Sequence, residues 1–219
     1  MMTLTDAQLQ TNVTDELRFE PSLNAQNITS SVRNGVVTLM GTVANYPEKW
    51  AAERAIKRVL GVRGVAEELT VHFTPDITFS DAEIAGAARR ALEWSAAIPE
   101  KDIQIRVEKA WITLEGTVDW QTQRQNAHDL VSNLLGVKGV SNMITLRPHA
   151  SLTVIHSGIE AAFKRSSELE ASRVQVEVNG GHVTLRGTLP TWTEINAAAL
   201  AAWNAAGVTE VDNQVHIGA

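Results

Sequence analysis

The chain reads as an α+β protein of three tandem α-β-β-α-β units, each a three-stranded mixed sheet with two helices on one face. Three observations predict this. A glycine-containing strand occurs three times, as Val36-Val37-Thr38-Leu39-Met40-Gly41-Thr42-Val43, as Trp111-Ile112-Thr113-Leu114-Glu115-Gly116-Thr117-Val118, and as His182-Val183-Thr184-Leu185-Arg186-Gly187-Thr188-Leu189. Each copy is followed by a glycine-valine signal beginning at Gly61, Gly136 or Gly207, at the same distance from the strand glycine every time. The copies recur at nearly equal intervals, the step from Gly41 to Gly116 being slightly longer than the step from Gly116 to Gly187. Fixed internal spacing with a slightly variable period marks one small fold made three times. The units span residues 1–75, 76–147 and 148–219.

Each unit opens with a helix. Thr5 with Gln8 and Ser80 with Glu83 have capping-box spacing, in which hydroxyl and carboxyl or amide satisfy orphan backbone donors reciprocally. Ser151 stands at the third such place with Val154 instead of an acceptor, so that helix is expected to fray. Apolar residues follow at helical spacing: Leu9, Val13, Leu17; Ile84, Ala88, Leu92; Ile155, Ile159, Phe163. Leu23, Ile98 and Leu169 are matched apolar plugs in the polar connections that follow.

First strands are expected over 28–33, 103–108 and 174–179. Asn34-Gly35 and Gly180-Gly181 predict type I′ hairpin turns, which need positive φ at both central residues. Lys109-Ala110 resists that geometry and predicts a different or strained turn. In the second strand, Gly41, Gly116 and Gly187 fall on the core-facing parity. Glycine there marks close backbone approach, read here as a helix crossing the sheet. A second helix is expected over about 47–60, 122–135 and 193–206. It should bury Ala52, Ala55, Ile56 and Val59 in unit one, and Ala127, Leu130, Val131 and Leu134 in unit two. Gly61, Gly136 and Gly207 are its left-handed stops, and a third strand starts near Val65, Val140 or Val211.

Composition narrows function. No unit is basic: the three carry 7, 8 and 4 basic against 8, 10 and 7 acidic residues, for a net charge of −6. That argues against a nucleic-acid partner, whose grip is phosphate neutralisation. There is no cysteine, hence no disulfide, thiolate nucleophile or cysteine-metal site. No stretch has the run of about 18 apolar residues that would make a transmembrane segment. The first residues do not resemble a secretory leader. With Met1 as the native start the expected location is cytoplasmic; with a signal removed, periplasmic. The six histidines hold no matched positions in the repeats, no serine sits in a nucleophile elbow, and neither a catalytic group nor a cofactor or metal site is expected.

The interaction candidates are surface residues. Leu200 and Trp203 share a helix face that in the other units carries Arg54 and Lys57, or Asp129 and Ser132, and should meet solvent. They suggest a partner or homo-oligomer contact, tryptophan being common in interface hot spots, or packing between units. Trp111, on the open sheet face, and Trp120 and Trp192, before the second helices, complete the set. Trp94 ends a first helix beside a polar loop, where an aromatic can enter a membrane interface.

A Val-Thr-Leu-x-Gly-Thr-Val strand, a helix, and then Gly-Val-x-x-Val-x-Asn resemble the BON domain (bacterial OsmY and nodulation), over essentially the whole chain in three copies. The Asn of that pattern is Asn142 in unit two and Asn213 in unit three; unit one departs with Glu67. Parity turns this residue coreward, and a local hydrogen bond is the expected role. The resemblance implies a non-enzymatic binding or scaffolding protein of the bacterial stress or envelope response, with membrane phospholipid or an envelope protein as partner. It also implies two alternatives, a chaperone-like protein of osmotic stress and a sensor of potassium.

Overall fold

The computed structural model describes residues 4–73, 79–147, 152–165 and 173–218. Unit one runs α1 (Asp6–Phe19), β1 (Ile28–Arg33), β2 (Val36–Val43), α2 (Tyr46–Lys57) and β3 (Gly64–Val71). Unit two repeats it as α3 (Asp81–Glu93), β4 (Ile103–Glu108), β5 (Trp111–Val118), α4 (Gln121–Ser132) and β6 (Gly139–Leu146). Unit three does so as α5 (Leu152–Arg165), β7 (Val174–Asn179), β8 (His182–Leu189), α6 (Trp192–Trp203) and β9 (Glu210–Ile217).

There are three separate sheets, ordered β1-β2-β3, β4-β5-β6 and β7-β8-β9. In units one and three the hairpin is antiparallel and the outer pair parallel. The glycine of the central strand faces the first residue of the hairpin strand: Gly41 opposite Ile28, Gly187 opposite Val174. Both helices supply one core with one sheet face. In unit one Leu9, Val13 and Leu17 meet Val37, Leu39 and Val43, with Ala52, Ala55 and Ile56 from α2. Unit three does the same with Ile155, Ile159, Phe163, Val183, Leu185, Ala198 and Ala202. In unit two Ile84, Ala88, Leu92, Ile112, Leu114, Ala127 and Val131 are buried at the matching places.

Both capping boxes form. Gln8 N donates to Thr5 Oγ1 while Thr5 N donates to Gln8 Oε1, and Glu83 and Ser80 repeat the exchange. Leu23 packs on its core and Ile98 is buried; Leu169, the cap at Ser151 and the side chain of Val154 lie outside the described residues.

Several expectations need correction. The second helices start one residue early and stop three residues early. Their last turn tightens into three-residue bonds, Arg58 N to Ala55 O and Val59 N to Ile56 O, before Gly61 (φ +97°) reverses the chain. Leu130 is 37 % exposed. Its counterparts are Ala55 and Ala201, so the site is alanine-sized and a leucine there reaches outward. Val59 and Leu134 are half-buried, while His128 and Ser132 are buried. The face expected to meet solvent around Ser132 and Trp203 is thus largely covered, Trp203 packing against its own unit's core.

The turns diverge, and so does the helix residue that faces them. Asn34 and Gly35 (φ +54° and +77°) and Lys109 and Ala110 (φ +52° and +64°) are all left-handed, so the second hairpin keeps the strained form. Of Gly180 and Gly181 only the first is left-handed, at φ +63°, and the third turn is not type I′. The first residue of α1, Asp6, accepts both turn amides, from Asn34 N at 2.7 Å and Gly35 N at 3.0 Å. Asp81 does so for Lys109 N and Ala110 N at 2.9 and 2.8 Å. The matching residue of unit three is Leu152, a residue type with no acceptor to offer.

Candidate functional site

The thrice-repeated residues are occupied with the backbone. Gly41, Gly116 and Gly187 have φ of +128°, +137° and +148°, a region closed to side chains. A methyl group on any of them would sit 2.0 Å from a carbonyl oxygen, of Asn27, Asp102 or Arg173 respectively. The close approach is real, but it comes from the carbonyl entering the hairpin strand, not from a crossing helix. Gly61, Gly136 and Gly207 (φ +97°, +84° and +90°) close the second helices, and Val62, Val137 and Val208 behind them are buried. A methyl on Gly61 would meet Leu4 and Leu9; on Gly136, Phe79 and Ile84.

Asn142 donates from Nδ2 to the Arg124 carbonyl at 2.8 Å, and its Oδ1 accepts from Ile144 N at 3.2 Å. Asn213 repeats this with Ile195 O and Val215 N. The residue ties the third strand to the second helix. Glu67 does it by other means. It accepts from Leu69 N and pairs at 2.8 Å with Lys49, whose Nζ also donates to Leu69 O.

The five surface candidates are held in different ways. Leu200 is 56 % exposed on α6. Trp192 and Trp203, at the two ends of that helix, are half-buried against the core of unit three. Trp111 lies flat over Gly139, its Nε1 donating to Ser141 Oγ at 2.8 Å. Trp120 is half exposed, and its backbone carbonyl accepts the first amides of α4, from Gln123 and Arg124. Leu200 is the most exposed of the five, with Trp120 and Trp111 close behind at 47 % and 46 %.

The aromatics most open to solvent lie elsewhere and occupy one place in the repeat. Phe19 ends α1 and is 82 % exposed; Trp94 directly follows α3 and is 90 % exposed. Phe19 precedes Gly41 by the same interval as Trp94 precedes Gly116, so the repeat makes the match readable; in unit three Arg165 stands there. Two grooves also share a place. One, of about 500 Å³, runs between α1 and β1; the other, of about 330 Å³, between α5 and β7.

The main charged cluster is in unit one. Arg58 donates to Glu16 at 3.0 Å and to Glu20 at 2.7 Å. The Ser22 hydroxyl, donating at 2.6 Å, and then Arg58 hold the Glu20 carboxyl down to about 2. In unit three Arg186 spans Glu177 and Gln214 across the open sheet face, and His182 lies 3.2 Å from Glu210. Among the described residues no group of three or more His, Asp or Glu could hold a metal ion, and no helix is long and apolar enough to cross a membrane.

These features define a tandem-repeat protein whose repeated residues serve the fold and whose repeats differ mainly at the surface. The chain belongs to the BON domain family: the family model matches residues 5–72, 80–148 and 151–219. It is similar to the outer membrane lipoprotein DolP of Haemophilus influenzae, 29 % identical over 140 residues, covering 62 % of this chain and 71 % of that protein. It is likewise similar to the osmotically-inducible protein Y of Escherichia coli, 27 % identical over 141 residues, covering 63 % and 70 %. Among solved structures, the C-terminal domain of CdsD, a structural protein of the type III secretion system of Chlamydia trachomatis, aligns over 99 % of this chain and all of that one. Its identity is 15 % and its TM-score 0.27.

Proposed function

We propose that this protein is a non-enzymatic binding module of the bacterial envelope, on the periplasmic side, that rests on phospholipid through the ends of its first helices. The observation that carries the reading is the matched pair Phe19 and Trp94, 82 % and 90 % exposed. An aromatic ring held bare at a helix end loses water and gains apolar contact when it enters the headgroup boundary. Similarity to an outer membrane lipoprotein supports the envelope setting. With a net charge of −6, anionic lipid repels the molecule overall. Attachment is therefore by insertion and survives salt.

The test is co-sedimentation of the full chain with phosphatidylethanolamine–phosphatidylglycerol vesicles at low and high salt. The chain pellets at both, and Phe19→Ser with Trp94→Ser stays in the supernatant. Absence of pelleting, or equal pelleting by the double variant, removes the reading.

A further inference from the structure

The groove between α1 and β1 has the chemistry of a receptor for an extended peptide. β1 is an edge strand, hydrogen-bonded to β2 alone. Backbone groups along such an edge need partners and are a template for another strand. Which groups face the groove is fixed by one contact. The Ser30 carbonyl accepts from Gln10 Nε2 at 3.1 Å, so it points away from β2. By the alternation of an antiparallel ladder, the carbonyls of Ile28 and Val32 turn the same way.

Gln10 is informative for a second reason. Its side-chain amide is chemically a peptide amide, and it sits where an incoming strand would place its N–H. It is steadied there by Ser30 Oγ at 2.9 Å and Thr14 Oγ1 at 3.3 Å. This gives a reason for Ser30, the residue that breaks the apolar alternation of β1 (Val176 stands there in unit three).

The groove's size and charge identify the occupant. At about 500 Å³ it lies within the usual range of binding clefts. Leu17, Leu23 and Ile28 give it an apolar floor, Arg18 stands on its wall, and none of its lining residues is acidic. Among the described residues the Arg18 side chain makes no hydrogen bond or ion pair. The groove of unit three keeps a cation at the same place, Lys164, but adds Glu160. We propose that the α1–β1 groove binds an acidic, extended segment of a partner protein by strand addition to β1. The incoming backbone displaces Gln10 from the Ser30 carbonyl, apolar side chains enter the floor, and a carboxylate pairs with Arg18. This rests on none of the residues invoked for lipid.

The experiment uses the full chain and three pools of fluorescein-labelled random octapeptides, read by anisotropy. One pool has a fixed glutamate, one a fixed lysine, and one the fixed glutamate with N-methylation at alternate residues. The glutamate pool binds at least tenfold tighter than either of the others. Arg18→Glu, a change at an exposed position, reverses the charge preference, and Gln10→Ala tightens glutamate-pool binding severalfold by removing the incumbent amide. Equal binding of the glutamate and lysine pools, equal binding of the N-methylated pool, an unchanged preference in Arg18→Glu, or no binding by any pool overturns the proposal. So does vesicle binding or self-association that Arg18→Glu abolishes while no pool binds, since Arg18 then serves lipid or a second copy.

Discussion

Replacing the strand glycine by alanine tests the central physical claim, because the same geometry occurs three times. At Gly41 the new methyl lies 2.0 Å from Asn27 O, and ordinary contact begins at 3.4 Å. The carbonyl would have to retreat by the whole of that difference. It cannot do so alone, because it leads into Ile28, paired with Gly41 itself. Two costs add. Holding alanine at φ +128° costs on the order of 1–3 kcal/mol, and overpacking against backbone about 1–3 kcal/mol more. The sum, roughly 4 kcal/mol, compares with a stability of roughly 3.5–10 kcal/mol for a unit of about 70 residues. Each variant, Gly41→Ala, Gly116→Ala or Gly187→Ala, should therefore lose from about two fifths to all of its unit's stability. Urea titration followed by amide NMR of all three units resolves which unit yields first. A loss below about 1 kcal/mol at any of the three refutes the close-approach account.

Two further outcomes follow from local geometry. Ala110→Gly relieves a left-handed alanine at φ +64°, restoring the residue type that Gly35 supplies in unit one. It should stabilise unit two by about 1 kcal/mol, seen as a rise of several degrees in its thermal midpoint. Glu20 is a lowered carboxyl, so its stabilisation is present above its ordinary value of 4.5 and is lost as the pH falls through about 2. Because Arg58 is half exposed, water screens the pair. Wild type should exceed Glu20→Gln by only about 1 kcal/mol at pH 7, with the gap closing between pH 4.5 and pH 2 in denaturant titrations; a constant gap contradicts the assignment.

What could be read from the sequence was whatever the repeat states in every copy. All six hairpin strands fall where the pattern placed them, because a glycine, a turn and alternating valines fix their register locally. The left-handed stops at Gly61, Gly136 and Gly207 were equally readable. What could not be read depends on contacts distant in the chain. Nothing near Gly180 announces that the residue matching Asp6 and Asp81, which accept the turn amides of the other units, is Leu152, far upstream at the start of α5. The group that approaches Gly41 is likewise not the helix that spacing suggested but the carbonyl of Asn27, on the far side of the hairpin. Leu130 has core-facing parity and is still 37 % exposed, because helical parity reports direction and not available volume. Phe19 and Trp94 were readable by alignment of the repeats, but their chemical difference from Arg165 hid the match.

Triplication separates the two kinds of residue physically. Three residues present in every copy (the strand glycine, the helix stop, the valine behind it) answer backbone and packing constraints. Residues that differ between copies in the core stay apolar, as Leu17, Leu92 and Phe163 do, while those that differ outside it change the character of each surface. The open face of unit one carries Val36 and Met40, and the same positions in unit three carry His182 and Arg186, engaged with Glu210 and Glu177. The groove of unit one has Gln10 and Thr14 where unit three has His156 and Glu160. A fold that fixes its backbone with so few residues can vary its grooves and helix ends at little cost to stability, since surface substitutions shift it by about 0.5 kcal/mol or less. Activity in such a chain is therefore sought where the copies disagree. The strongest disagreements are Phe19 and Trp94 against Arg165 at the helix ends, and Gln10, Thr14 and Ser30 against His156, Glu160 and Val176 in the groove.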